Sequence, residues 1–185
     1  MPDDRAAVFE RTRTRALVDY YSRDFRSAVL HWEQAIDMAR DMNLTYQVMS
    51  GLHNLGDVLI QLDDLPRAYG ALRQALALSE EHGFERLANL NRMFLAYLDG
   101  IRGTADGERL LRQGIAYAES KDFTNDVVSG RALLAKLLHR LGLLDAAREE
   151  YGKTRAVAVS AGHRIVADEC DAALGKLDAR PESAE

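Results

Sequence analysis

The chain has 185 residues, of which 47% are hydrophobic and 29% charged, the balance of a soluble single domain with a sizeable core and not of a disordered segment. A net charge of −5 argues against general nucleic-acid binding by bulk electrostatics. The single cysteine, Cys170, excludes an internal disulfide and suits a reducing compartment, and no apolar run approaches the about 18 residues of a membrane span.

The opening MPDDRAAVFERTRTR lacks the apolar stretch of a signal peptide, so a cytoplasmic protein is expected. Pro2, Asp3 and Asp4 suit the positive end of a helix dipole, and a first helix is expected over Arg5–Ser22. Its Arg5, Arg11, Arg13 and Arg15 read as a solvated basic face. The second helix, Phe25–Met42, buries Phe25, Ala28, Trp32, Ala35, Ile36 and Ala39, with Trp32 as core. Asn43 and Leu44 turn the chain, and Asn tolerates the left-handed conformation after a helix. A third helix, Thr45–Leu62, presents Val48, Leu52, Leu55, Leu59 and Leu62 at alternating spacings of four and three, which place them on one face. The fourth, Pro66–His82, is capped by Asp63 or Asp64 and stopped by Gly83. It buries Leu65, Ala68, Leu72, Ala75 and Ser79, and Gly56 and Ala68 are small where two helices cross closely.

The fifth helix, Glu85–Ile101, is followed by a turn of Gly100, Gly103 and Thr104, with Thr104 as N-cap of a sixth over Ala105–Lys121. Gly107 and Gly114 inside that helix cost roughly 1 kcal/mol each against Ala, which marks them as points of close helix approach or as a local hinge. The seventh helix, Thr124–Leu141, starts with Thr124 or Asn125 as cap and packs Val128, Leu134, Ala135, Leu138 and Leu141. The eighth runs Leu144–Ala161 and ends at Gly162. The ninth, Arg164–Leu177, carries Val166, Cys170, Ala173, Leu174 and Leu177 on one face and is expected to cover the end of the last hairpin. A frayed tail is expected over 179–185.

These helices repeat. Ala28, Trp32 and Ala35 stand forty residues before Ala68, Leu72 and Ala75. Gly107, Leu111 and Gly114 follow after thirty-nine, and Ala147, Tyr151 and Thr154 after forty more. Leu44, Phe84, Phe123 and His163 close the units, which divides the chain into hairpins at 5–44, 45–84, 85–123 and 124–163, with a capping helix at 164–178. In this pattern the chain resembles the tetratricopeptide repeat family. The second unit keeps it best, with Leu52 in the family's Trp slot, Leu55-Gly56 intact, Leu59 for its Tyr and Leu72 for its Phe. The period is nearer forty than the standard thirty-four, and Glu80 stands where the family closes with proline. Leu95-Ala96 lies near the Leu-Gly slot, one residue out of phase, which would explain the spacing of thirty-nine. The first helix fits poorly, with Thr12, Arg15 and Asp19 in the three slots; a slide of one residue puts Ala16 and Tyr20 into the core. It reads either as a polar capping helix or as the cut end of a longer array. Helices of this length resemble the repeats attached to large bacterial ATPase regulators and peptide-pheromone receptors.

The resemblance implies an all-α solenoid, a right-handed superhelix of four antiparallel helical hairpins plus the capping helix, whose first helices line a concave groove. By that register the inward residues are Arg13 and Tyr20; His53, Asn54 and Asp57; Asn89, Arg92 and Met93; and Lys136, His139 and Arg140. Asn54 directly precedes Leu55-Gly56, where the family often uses Asn to bond the backbone of an extended peptide. The two-carboxylate clamp of some members is incomplete here. Four inward cations facing the single acid Asp57 favour an acidic segment or a terminal carboxylate, against the plainer reading of a solvated polar wall.

No catalytic or metal chemistry stands out. His31, His53, His82, His139 and His163 form no HExxH pair or Cys/His cluster, and Cys170 lies on an apolar stripe as a buried, inert thiol. Gly100, Gly103 and Gly107 match no phosphate-binding loop. The expected function is a non-catalytic module binding a peptide or protein segment, without cofactor, nucleic acid or membrane partner. The alternatives are a sensory module of a bacterial regulator and an assembly module dimerising through its end helices, and the residues leave the oligomeric state open.

Overall fold

The computed structural model of the chain describes residues 2–104 and 106–179, with the backbone alone at Pro2 and Asp3. Among them are α1 (Pro2–Tyr21), α2 (Phe25–Asp41), α3 (Thr45–Gln61), α4 (Leu65–Glu81), α5 (Glu85–Ile101), α6 (Gly107–Ser120), α7 (Thr124–Arg140), α8 (Leu144–Ser160) and α9 (Arg164–Asp178), and no strand. The expected helices are all present. Ala105 and the tail from Arg180 onward lie outside the described residues.

One device ends eight of these helices. Arg23, Asn43, Asp63, Gly83, Gly103, Asp122, Gly142 and Gly162 all have φ between 56° and 86°. At each, two backbone bonds close the turn, as in Asn43 N–H to Arg40 O (3.0 Å) and Leu44 N–H to Ala39 O (2.8 Å). This is the Schellman arrangement, which satisfies the carbonyls orphaned at a helix C-terminus. Ala68 stands five positions after Asp63, but Gly107 only four after Gly103. The missing residue therefore lies in the α5–α6 turn, and Leu95-Ala96 is in phase with Leu55-Gly56, contrary to expectation. The shortened turn also displaces the expected cap. Asp106, not Thr104, is the N-cap of α6, without a side-chain bond. At α7 the cap is Phe123, and Thr124 is already helical. Asp64 caps α4 through the Arg67 N–H.

The chain divides into two compact units, Met1–Asn91 and Arg92–Glu185, with the division inside α5. In the first unit, α2 packs on α1 and α3, and α3 on α4. Trp32, Met49, Leu59 and Leu72 are buried in its core. A Cβ on Gly51 would lie 2.7 Å from Ile36 Cγ1, and one on Gly56 would lie 2.5 Å from Leu72 Cγ, so both glycines admit a neighbouring helix. The first helix keeps the unshifted register. Ala16 falls at the Gly56 slot and is fully buried, while Asp19 takes the place of Leu59 and is buried too.

In the second unit, α7 packs on α6, α8 and α9. Ala167 of α9 joins Val128 of α7 and Ala158 of α8 in one apolar cluster. Gly130 repeats the role of Gly51, since its Cβ would lie 2.7 Å from Ile115 Cγ1. Gly107 is more constrained: a Cβ there would meet Gly100 Cα and N at 2.5 Å, backbone on backbone. Gly100, expected in the turn, is thus a buried member of α5 at this crossing. Leu62 and Leu141 are exposed rather than core, because each is the C-cap of its helix, where the chain has left the apolar face. Phe25, Leu65, Val166, Ala173 and Leu174 are half-buried.

Candidate functional site

In the first unit the first helices of successive hairpins are joined by polar side chains. Tyr20, at the end of α1, donates its hydroxyl to Asp57 Oδ2 of α3 at 2.8 Å. Gln61, one turn on, donates to Asp57 Oδ1 at 3.3 Å. On the same helix, His53 Nδ1 lies 3.0 Å from Oδ1 of Asn91 on α5. Asn91 is fully buried and donates its amide to Leu87 O at 2.8 Å, which turns Oδ1 toward the imidazole. An amide oxygen only accepts, so this bond is made by a proton on His53 Nδ1. Asn54 stands half-buried beside it.

The remaining predicted residues separate. Asn89 is buried, at 7% exposure. Arg13 is engaged within its own helix, 2.7 Å from Glu10. In the second unit, Lys136 reaches Glu169 of α9 at 3.5 Å. His139 Nδ1 lies 3.4 Å from the Tyr151 hydroxyl, which burial pushes up to about 12. Met93 is fully buried and belongs to the core, while Arg92 and Arg140 are exposed. Two of the four expected inward cations thus already face acids of this chain, Glu10 and Glu169.

Three polar groups escaped the sequence reading. Asn91 occupies the position of Gly51 and Gly130 in the other repeats, and a polar residue in that small, buried slot was the available signal. Asp19, in the slot of Leu59, lies 2.6 Å from His31 Nδ1 and 3.1 Å from Arg15 Nε. In the second unit Arg131 of α7 reaches both Glu119 of α6 and the buried Glu150 of α8, each at 2.8 Å. These hydrogen bonds hold the guanidinium charged and raise its pKa against the opposing and largest effect, burial.

Among the described residues, no three His, Cys, Asp or Glu side chains gather as metal ligands, and no helix is long and apolar enough to cross a membrane. Burial pushes the Cys170 thiol up to about 11, far from the range of a nucleophile.

No protein-family model and no curated protein matches the chain. Solved structures do. Aspartyl phosphate phosphatase F from Bacillus subtilis superposes with a TM-score of 0.66 at 16% identity, over 90% of this chain and 44% of that one. The apo form of RapI gives 0.64 at 16% identity, over 88% of this chain and 60% of the other. A Rap protein complexed with competence and sporulation factor gives 0.53 at 22%, over 88% and 49%. The fold is that of these proteins, a tetratricopeptide-like array of helical hairpins. The chain spans between 44% and 60% of their length.

Proposed function

We propose that the chain is a non-catalytic interaction module that holds a peptide or protein segment on the polar faces of its first helices. One observation carries this reading: the Tyr20–Asp57 and His53–Asn91 bonds tie α1, α3 and the start of α5 into a continuous hydrogen-bonding wall. Side chains fixed by one another lose little entropy when a partner arrives, which favours binding. Asn54, beside His53, offers the donor and acceptor pair that an extended backbone needs.

A second reading, a sensory module whose occupancy regulates an attached or associated effector, draws support from the structural neighbour that holds competence and sporulation factor. Another neighbour bears the name of a phosphatase, but this chain spans 44% of it. The non-catalytic reading draws support from Cys170, whose thiol is buried and keeps its proton.

Capture of partners from the native cytoplasm, followed by calorimetry with the captured segment, tests the proposal. His53→Ala with Asn54→Ala should leave the helical circular dichroism unchanged and weaken binding at least tenfold. Undiminished binding by the double variant would place recognition elsewhere.

A further inference from the structure

The second helices of the first two hairpins, α2 and α4, leave a cleft of about 510 Å³ between them, on the side of α3 that carries Leu52, Leu55 and Leu59. Its floor is α3, through Leu52, Leu55 and Leu59. One wall runs from Glu33 to Arg40 on α2, the other from Arg67 to Gln74 on α4. Each wall follows one helical face for about 10 Å at 1.5 Å per residue. The α4 wall is low, since Gly70 and Ala71 form it and a Cβ on Gly70 would meet nothing within 4 Å. Arg67 crosses one end to Glu33 at 2.7 Å and closes it. Arg40 and Gln74 stand at the other.

The second unit contains the same place, filled. Gly51 and Gly130 are equivalent, each packed on an isoleucine Cγ1, so Leu52 corresponds to Arg131. By the same register Arg40 corresponds to Glu119 and Ala71 to Glu150. In the second unit, then, the floor residue is a long side chain whose cation is held by acids on both walls. In the first unit the floor is a short leucine, one acid is replaced by alanine, and the other by arginine. The space is open, and Arg40 stands on its α2 wall where the second unit has an acid, beside Asp37 and at the end away from the Glu33–Arg67 pair. Its complement is a methylene chain ending in an anion. The pair that now engages Arg40 is weak: Asp37 is its i,i+3 neighbour at 3.0 Å, and their side chains are 73% and 49% exposed. A ligand carboxylate can displace Asp37 and gain the Gln74 amide from the facing wall.

We propose that the α2–α4 cleft is a binding site for a small amphiphilic carboxylate, with its alkyl chain on Leu52, Leu55 and Leu59 and its head between Arg40 and Gln74. The site is independent of the peptide-binding reading, and either can fail alone. The probe is octanoate below its micellar concentration, followed by amide chemical shifts of the full chain, with octanol and octylamine as comparators. Octanoate should saturate and shift Gly70, Ala71 and Gln74 first, and bind at least tenfold more tightly than octylamine. Arg40→Ala with Gln74→Ala, both exposed changes, should weaken it at least tenfold at unchanged melting temperature. Octanoate shifts that spread without saturation over exposed apolar residues, equal binding of octylamine, or an unaffected double variant would each overturn the proposal.

Discussion

Gly107 is the position where a single methyl group decides most. Its Cβ would press on the backbone of Gly100 and on Ala96 O, which have no rotamer to change. Gly107→Ala should lower stability to urea by about 1–3 kcal/mol or more, as overpacked cores do. Gly152, in mid-α8 with open space around it, should behave oppositely, and Gly152→Ala should add about 0.5–1 kcal/mol by restricting the unfolded chain. If both variants shift alike, packing is not what separates them. Cys170 makes a second residue-scale prediction. Its folded thiol keeps its proton to about 11, whereas the unfolded thiol loses it near 9.0. The buried neutral thiol thus contributes stability fully present below about pH 9 and lost as the pH rises toward 11. Urea titrations at pH 8 and 10.5 should show that loss, and Cys170→Ala should remove this part of it. At pH 8 the native thiol should resist iodoacetamide. The stripe position of Cys170 was readable in the sequence from spacing alone. The Gly107–Gly100 contact was readable only in part, because a glycine announces a small space without saying which neighbour fills it.

At the scale of the helix, the caps divide by type. Asp24 and Asp64 accept from the Ser27 and Arg67 N–H groups inside their hairpins. Leu44, Phe123, Leu143 and His163 begin α3, α7, α8 and α9 with no side-chain cap bond. These four residues also close the preceding turn, where a Schellman motif favours an apolar contact with the helix just ended. One residue serves two helices there, as Asp24 and Asp64 also do, since their N–H groups close the preceding turns on Asp19 O and Leu59 O. Polar capping signals thus misplaced the start of α7, where Phe123 is the cap, and the shortened turn displaced that of α6, while the helices themselves were legible. Asp64→Ala should cost about 1 kcal/mol, measured by thermal unfolding; no change would show that Pro66 alone starts α4. α9 carries a separate test. Removing residues from Arg164 onward uncovers Val128 and Ala158. The shortened chain should self-associate on size-exclusion chromatography, and a monodisperse product of equal stability would show that α9 is not a cap.

For the whole molecule, the repeat dictates that each helix meets its near neighbours in sequence. Stability in such arrays is a sum of local terms. α3 and α7, packed on both sides, should show the slowest amide hydrogen exchange, and α1, packed on α2, among the fastest; uniform protection would indicate a single cooperative core. At this scale the sequence was most legible, since a period of about forty residues in small and large apolar positions specifies hairpins without reference to any one contact. The polar wall was legible only where the register placed polar side chains on the inner faces of the first helices. Tyr20, His53 and Asp57 were found, but their partnership and the role of Asn91 depend on distances between helices that no spacing encodes.

The eight left-handed turns act as punctuation marks for a reading frame. An extra or missing residue inside a helix rotates everything after it by about 100° and takes the apolar stripe off the core. In a turn, the same change is absorbed before the next stripe begins. The chain's one lapse of frame falls between Gly103 and Gly107, beside the backbone-on-backbone crossing of Gly107 with Gly100. One residue inserted after Gly103 should be tolerated, while the same insertion after Gly70 should unfold the second hairpin. Lengthening and shortening of such arrays are therefore expected to leave their scars at the punctuation and to spare the words.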